Sequence, residues 1–243
     1  MIISLPECTA YEGETQVNAN ITLDTLYASI LQMAFDLGKK DPKADSKVQS
    51  IIGTIISLVN PLPPSAVAEL IGLETAQVMS ILKLAQSLLV LHDDPSYPVK
   101  LFHKSFSDFI INPSRCLDKR FYISPETLHH ELALNCLRLM NTTLKPNLLS
   151  LPNYALNEEV EDLPERVKDH ISAALEYACR SWYNHLPKTK GDTTHILNAL
   201  HEFLEEKFLP WLEIASVLGA VRDAVVALEK LILWLQEVCL HLL

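Results

Sequence analysis

His103 is the residue in this sequence best placed to do chemistry. It stands in Leu101-Phe102-His103-Lys104-Ser105-Phe106-Ser107-Asp108-Phe109-Ile110, a run that reads as a short strand entering a helix. Ser105 can accept a hydrogen bond from the Asp108 backbone N–H while the Asp108 carboxylate reaches back, the pattern of a capping box. Phe106, Phe109 and Ile110 then share one helical face and can enter a core. His103 precedes that helix, where free N–H groups and the positive end of the dipole favour an anion. An imidazole there could donate to a phosphate. The plainer alternative is a half-buried histidine packed at a strand end, and on the residues alone it carries the greater weight.

Other reactive constellations are missing. The six glycines, at 13, 38, 53, 72, 191 and 219, never approach the Gly-x-x-x-x-Gly-Lys-Ser/Thr spacing that cradles nucleotide phosphates. No catalytic residues are therefore expected, and no enzyme. His129-His130-Glu131 places neighbours on different helical faces, so a surface position is expected there, not a metal site. Cys8, Cys116, Cys136, Cys179 and Cys239 are scattered and odd in number. They read as reduced thiols of an intracellular protein. Trp182, Trp211 and Trp234 fall at helical positions and suit core anchors better than a ligand cage.

The elements that must position His103 are mostly helices. With 243 residues, 49% hydrophobic and few alternating β-branched runs, the chain has ample core material and an α-rich pattern. Its formal net charge of −10 repels nucleic acid, and no basic patch offsets it. The most apolar stretch, Ala224 to Leu243, contains Glu229, Lys230, Gln236 and Glu237. It reads as a buried or partner-facing helix, not a membrane span. The N-terminus lacks a signal-peptide core, so a cytoplasmic location is expected.

In chain order, helical spacing covers Leu23 to Leu37 and ends at Gly38. A second helix starts at Asp45 or Ser46, buries Val48, Ile51, Ile52, Ile55, Ile56 and Val59, and stops at Pro61. A third runs from Pro64 to Gly72, and a fourth from near Glu74 to Leu89. Val90–His92 and Val99–Phe102 then read as two strands about a turn at Asp93–Ser96. Helices plus a two-stranded hairpin make a winged helix. Its DNA-reading helix carries only Lys83 as a basic residue, which argues against nucleic acid. Ser124-Pro125 opens the next helix. A long helix is expected from Pro164 through Trp182, then one from Thr194 to Phe208 and one from Trp211 onward, with Gly219 kinking or dividing the last. The acidic cluster Glu158, Glu159, Glu161 and Asp162 reads as a solvated loop.

Phe-His-x-Ser-Phe-x-Asp-Phe, at 102–109, resembles the end of the winged-helix domain in NACHT-type STAND NTPases, signalling ATPases that include the NOD-like receptors. Leu23–Tyr27, Tyr177–Trp182 and Lys207–Glu213 are similar to the fungal members, in the same order. The resemblance implies three parts: 1–44, the tail of a small helical domain; 45–112, a winged helix; and 113–243, an antiparallel helical domain, bundled or superhelical. It implies that His103 contacts an ADP phosphate, with Phe102, Ser105, Phe106, Asp108 and Phe109 forming the motif around it. Nucleotide, ADP or ATP, would be bound only together with a NACHT NTPase domain, in cis or in trans. Homo-oligomers or other protein partners are expected, and the abrupt start reads as a truncated gene product. Two rivals stand beside this reading: a free-standing helical scaffold or adaptor, and, less favoured, a winged-helix DNA-binding regulator.

Overall fold

Prolines and glycines set many of the helix boundaries. A computed structural model describes residues 10–35, 42–152 and 156–241. Helix α1 spans Ala10–Phe35, α2 Pro42–Ser57, α3 Pro64–Ile71 and α4 Thr75–Leu84. Strands β1 (Leu89–Val90) and β2 (Lys100–Leu101) pair antiparallel, Leu89 opposite Leu101. Then follow α5 (Lys104–Ile110), α6 (Pro125–Thr143), α7 (Leu163–His170), α8 (Ala173–Ser181), α9 (Thr194–Glu202), α10 (Phe208–Val217) and α11 (Val221–His241). Pro42, Pro64 and Pro125 each occupy the first helical position, where the missing N–H costs nothing. Gly72 ends α3 at φ 69°, a left-handed conformation that spares glycine the Cβ penalty. The chain is mainly helical, as expected.

The core is continuous from Tyr27 on α1 to Trp234 on α11. Helix α6 lies at its centre and carries α2, α3, α8 and α9 on its flanks. Its start is as expected: the Ser124 hydroxyl caps the Thr127 N–H, and Leu128, Leu132, Leu137 and Met140 are buried. Helix α2 meets α6 closely at Gly53, where an added Cβ would stand 2.9 Å from Leu128 Cδ1 and 3.3 Å from Ile123 Cγ2. Trp182, Trp211 and Trp234 are buried anchors, and the first two meet edge to face at 6.2 Å.

Several boundaries depart from the sequence reading. Helix α2 ends at Ser57, so Val59 lies beyond its apolar stripe and is 52% exposed. Helix α1 begins at Ala10, thirteen residues before Leu23, where no apolar period announces it. Helix α4 stops at Leu84, because the chain must turn into the hairpin, whose two strands are only two residues each. The single helix expected from Pro164 to Trp182 is two helices. Ile171 is extended, and the Ser172 hydroxyl caps a new helix by accepting from the Leu175 N–H at 3.1 Å. The helix expected from Thr194 to Phe208 widens into a π turn over Phe203–Lys207 before α10. Gly219, at φ 64°, divides the last stretch into α10 and α11. The acidic run is solvated, with one short turn at Asn157–Glu159.

Candidate functional site at the start of helix α5

His103 is the residue on which α5 begins, and its own ring is the cap. Nδ1 accepts the Ser105 backbone N–H at 3.1 Å. The Ser105 Oγ also lies 2.7 Å from Nδ1, and the Tyr27 Oη lies 2.6 Å from that Oγ. The capping box expected between Ser105 and Asp108 does not form. The helix starts two residues earlier than such a box requires, so Ser105 sits inside the first turn and its hydroxyl serves Tyr27 and His103. Asp108 is solvent-exposed.

This arrangement fixes where the protons are. A nitrogen accepting an N–H bond carries no hydrogen, so the neutral His103 ring is protonated on Nε2. The hydroxyls then run in one direction: Tyr27 O–H donates to Ser105 Oγ, and Ser105 O–H donates to Nδ1. Nε2–H remains as an open donor, without a partner among the described residues. His103 is exposed, so the half-buried packing role is not what the fold gives it. The backbone N–H groups expected to attract an anion are partly consumed, that of Ser105 by the ring and that of Phe106 by the His103 carbonyl at 3.2 Å. An anion would meet the imidazole, not the helix end. Phe102 beside it is 74% exposed, whereas Phe106 and Phe109 are buried.

Helix α1 supplies the support. Tyr27 is buried and packs edge-on against Phe106 at 5.4 Å and against Phe109 at 5.6 Å. One turn earlier, Asp24 receives a forked ion pair from Arg115, with Nη2–Oδ1 at 2.6 Å and Nε–Oδ2 at 3.0 Å. Leu31, which would be partly exposed if α1 awaited a missing domain, is buried here, while Leu26 stays 52% exposed. Between α1 and residues 114–121 lies a groove of about 660 Å³, lined in part by Asp24, Ala28, Phe109 and Leu117. Tyr27, Asp24 and Arg115 carry no sequence signal for this role, because the partners are 78 and 91 residues apart.

A second polar cluster lies deep in the protein. His129, expected at the surface, is 7% exposed, and its Nδ1 is 2.9 Å from Nδ1 of buried His185. His185 Nε2 is 2.9 Å from the Tyr177 Oη, which accepts the Val59 N–H at 3.2 Å. With one proton on the hydroxyl, Tyr177 donates to His185, and His185 Nδ1–H donates to His129. Both imidazoles are then neutral. Burial pushes His129 down to about 4 and His185 down to about 3, the latter helped by His129 and Lys188. Burial also raises the Tyr177 hydroxyl above its usual range and the Cys179 thiol to about 12. The helix period buried His129 because it shares a face with Leu132 and Cys136. No group of three or more metal-ligating side chains occurs among the described residues. No single helix among them is long and apolar enough to cross a membrane.

No protein-family model matches the chain, and no solved structure is significantly similar to it. Among curated proteins, it is 24% identical over 235 residues to vegetative incompatibility protein HET-E-1 of Podospora anserina. The match covers 86% of this chain and 16% of that protein. This is a remote relationship to one short portion of a much longer fungal protein.

Proposed function

We propose that this chain is a non-catalytic regulatory segment of a NACHT-type STAND signalling protein. In this reading it clamps the ADP-bound state and relays nucleotide exchange to assembly in the cytoplasm. Residues 1–44, 45–112 and 113–243 are its helical tail, winged helix and helical domain. The remote match to a fungal incompatibility protein supports a signalling role, and the 102–109 resemblance supports the NACHT class.

The observation that carries the proposal is the His103 tautomer. With Nδ1 held by the Ser105 N–H, the ring offers a fixed Nε2–H donor at the surface. That donor fits a phosphate oxygen presented by a separate NTPase domain, in cis or in trans. Nothing else in this chain would cradle the nucleotide, because no glycine-rich loop is present.

The test joins this chain to an NTPase half and measures ADP binding by calorimetry. A hydrogen bond to a charged group contributes about 1.5–3 kcal/mol, so His103→Leu should weaken ADP by about 10- to 150-fold. Because only the closed state makes that contact, the variant should also assemble more readily. Equal ADP affinity for both proteins, with the fold intact, would reduce His103 to a helix cap.

A further inference from the structure

The connector after α2, the helix α8 and the start of α11 border a cleft of about 550 Å³. Its size is that of a small-molecule site. Residues 59–63 form one wall, and Glu176, Arg180, Ser181, Asn184 and Asp223 form much of the rest. The fold gives one of these side chains nothing to do. Ser181 is 3% exposed, yet its hydroxyl has no hydrogen-bond partner among the described residues. A buried hydroxyl without a partner is costly, and a group entering the cleft would supply one.

The charges beside Ser181 select the chemistry of that group. Arg180 reaches Glu176 Oε1 and Asp223 Oδ2, each at 3.4 Å, the outer edge of hydrogen-bond range. Neither carboxylate has another hydrogen-bond partner among the described residues, so most of its acceptor capacity is unused. The lining carries two negative charges against one positive. Lys230, behind the wall, is already committed: its Nζ lies 2.8 Å from Asn184 Oδ1 and 5.0 Å from the centre of the Tyr183 ring. An anion here would be repelled by both carboxylates. A neutral polyol would leave the negative balance in place. An ammonium group removes it and donates three hydrogen bonds to acceptors that lack donors.

We propose that this cleft binds a small organic cation, its primary ammonium held by Glu176 and Asp223 and an oxygen accepting from the Ser181 hydroxyl. The proposal does not depend on nucleotide sensing by His103. Once bound, the cation would join the connector after α2 to α8 and α11.

The experiment titrates four probes into the whole chain and follows protein resonances by NMR. Aminobutanol, butanediol, γ-aminobutyrate and butyrate share a four-carbon chain and differ in charge. Aminobutanol should shift Ser181, Asn184 and Asp223 with a Kd of about 1 mM. Butanediol and γ-aminobutyrate should bind at least about fivefold more weakly, and butyrate should not bind. Glu176→Gln combined with Asp223→Asn changes only partly exposed side chains and should weaken aminobutanol about tenfold or more. Arg180→Gln removes the competing cation, so it should tighten aminobutanol and weaken γ-aminobutyrate. Ser181→Ala should weaken aminobutanol about 2- to 10-fold with an unchanged melting temperature, because the hydroxyl holds nothing in the folded chain. Glu202→Gln, on α9 and outside the cleft, should change nothing. Any of five results would overturn the proposal: no shifts at the cleft, a probe that equals or exceeds aminobutanol, full affinity in the double variant, full affinity in Ser181→Ala, or weaker aminobutanol binding in Arg180→Gln.

Discussion

The Tyr27 hydroxyl stands 2.6 Å from the Ser105 hydroxyl, so a residue of α1 controls the orientation of the group that holds His103. Tyr27→Phe keeps the ring against Phe106 and Phe109 and removes only that hydroxyl. The loss should cost about 0.5–1.5 kcal/mol in urea unfolding. Ser105 would then be free to rotate, and the His103 ring should become mobile. Imidazole line widths report this directly: narrow in the wild type and broadened in the variant, with the proton staying on Nε2 because the Ser105 N–H still donates to Nδ1.

The Asp24–Arg115 fork fastens α1 to the segment after α5. Both side chains are mostly covered, so the pair is less screened than a surface salt bridge. Asp24→Asn retains the shape but discards the charge, and should destabilise by about 1.5–3 kcal/mol. Arg115→Lys should also weaken the junction, because an ammonium cannot make the two-pronged contact. Hydrogen exchange is the sharper readout. Protection across residues 23–35 should fall in both variants while α6 and α9 keep theirs.

The His129–His185 pair makes stability pH-dependent with a definite sign. Both pKa values are depressed in the folded protein, so the unfolded chain binds more protons below the ordinary histidine pKa of about 6.5. The stabilisation is therefore complete above about pH 6.5. It is lost as pH falls towards the folded values of about 4 for His129 and about 3 for His185. Within that window the slope should approach about 1.4 kcal/mol per pH unit for each histidine. His185→Gln, which retains a polar group beside Tyr177 but does not titrate, should flatten the slope by roughly half. Urea midpoints at pH 7 and pH 5 decide the matter, and an unchanged slope would remove the pair from the account.

Gly53 separates helix propensity from packing. Alanine there gains about 0.8–1 kcal/mol of propensity but presses on a Leu128 methyl, an atom that can rotate aside. Gly53→Ala should therefore fall within about 1 kcal/mol of the wild type, with the two effects offsetting each other. Gly53→Val adds branching that Leu128 and Ile123 cannot both avoid, and should destabilise by about 1–3 kcal/mol. Thermal melts of the two variants compare them on one scale.

Much of the fold was legible in the sequence because proline, serine and glycine act locally. Ser124-Pro125, Pro64 and Gly72 mark real boundaries, and the apolar periods correctly buried Phe106, Phe109, Leu132 and Met140. What failed was tertiary. The cap at Ser172 interrupts a run whose apolar period continues through it, so the period alone reads as one helix. His103 was legible as a residue at a helix start, yet its role as the cap was not, since Tyr27 competes for Ser105 from 78 residues away. His185 was invisible for a similar reason: its partners His129 and Tyr177 lie on α6 and α8, and no short pattern joins them.

The Tyr177 hydroxyl that receives the Val59 N–H reaches from α8 to the second residue past the end of α2, across 118 residues. A chain cut between the hairpin unit and the later helices would strand that donor and bare the α2 face at Gly53. Neither piece would be a free-standing module. Heating should thus give one calorimetric transition whose van't Hoff and measured enthalpies agree, and limited proteolysis should yield no stable half. Any movement of the hairpin unit would have to carry α6 and α8 with it, as a lever carries its arm.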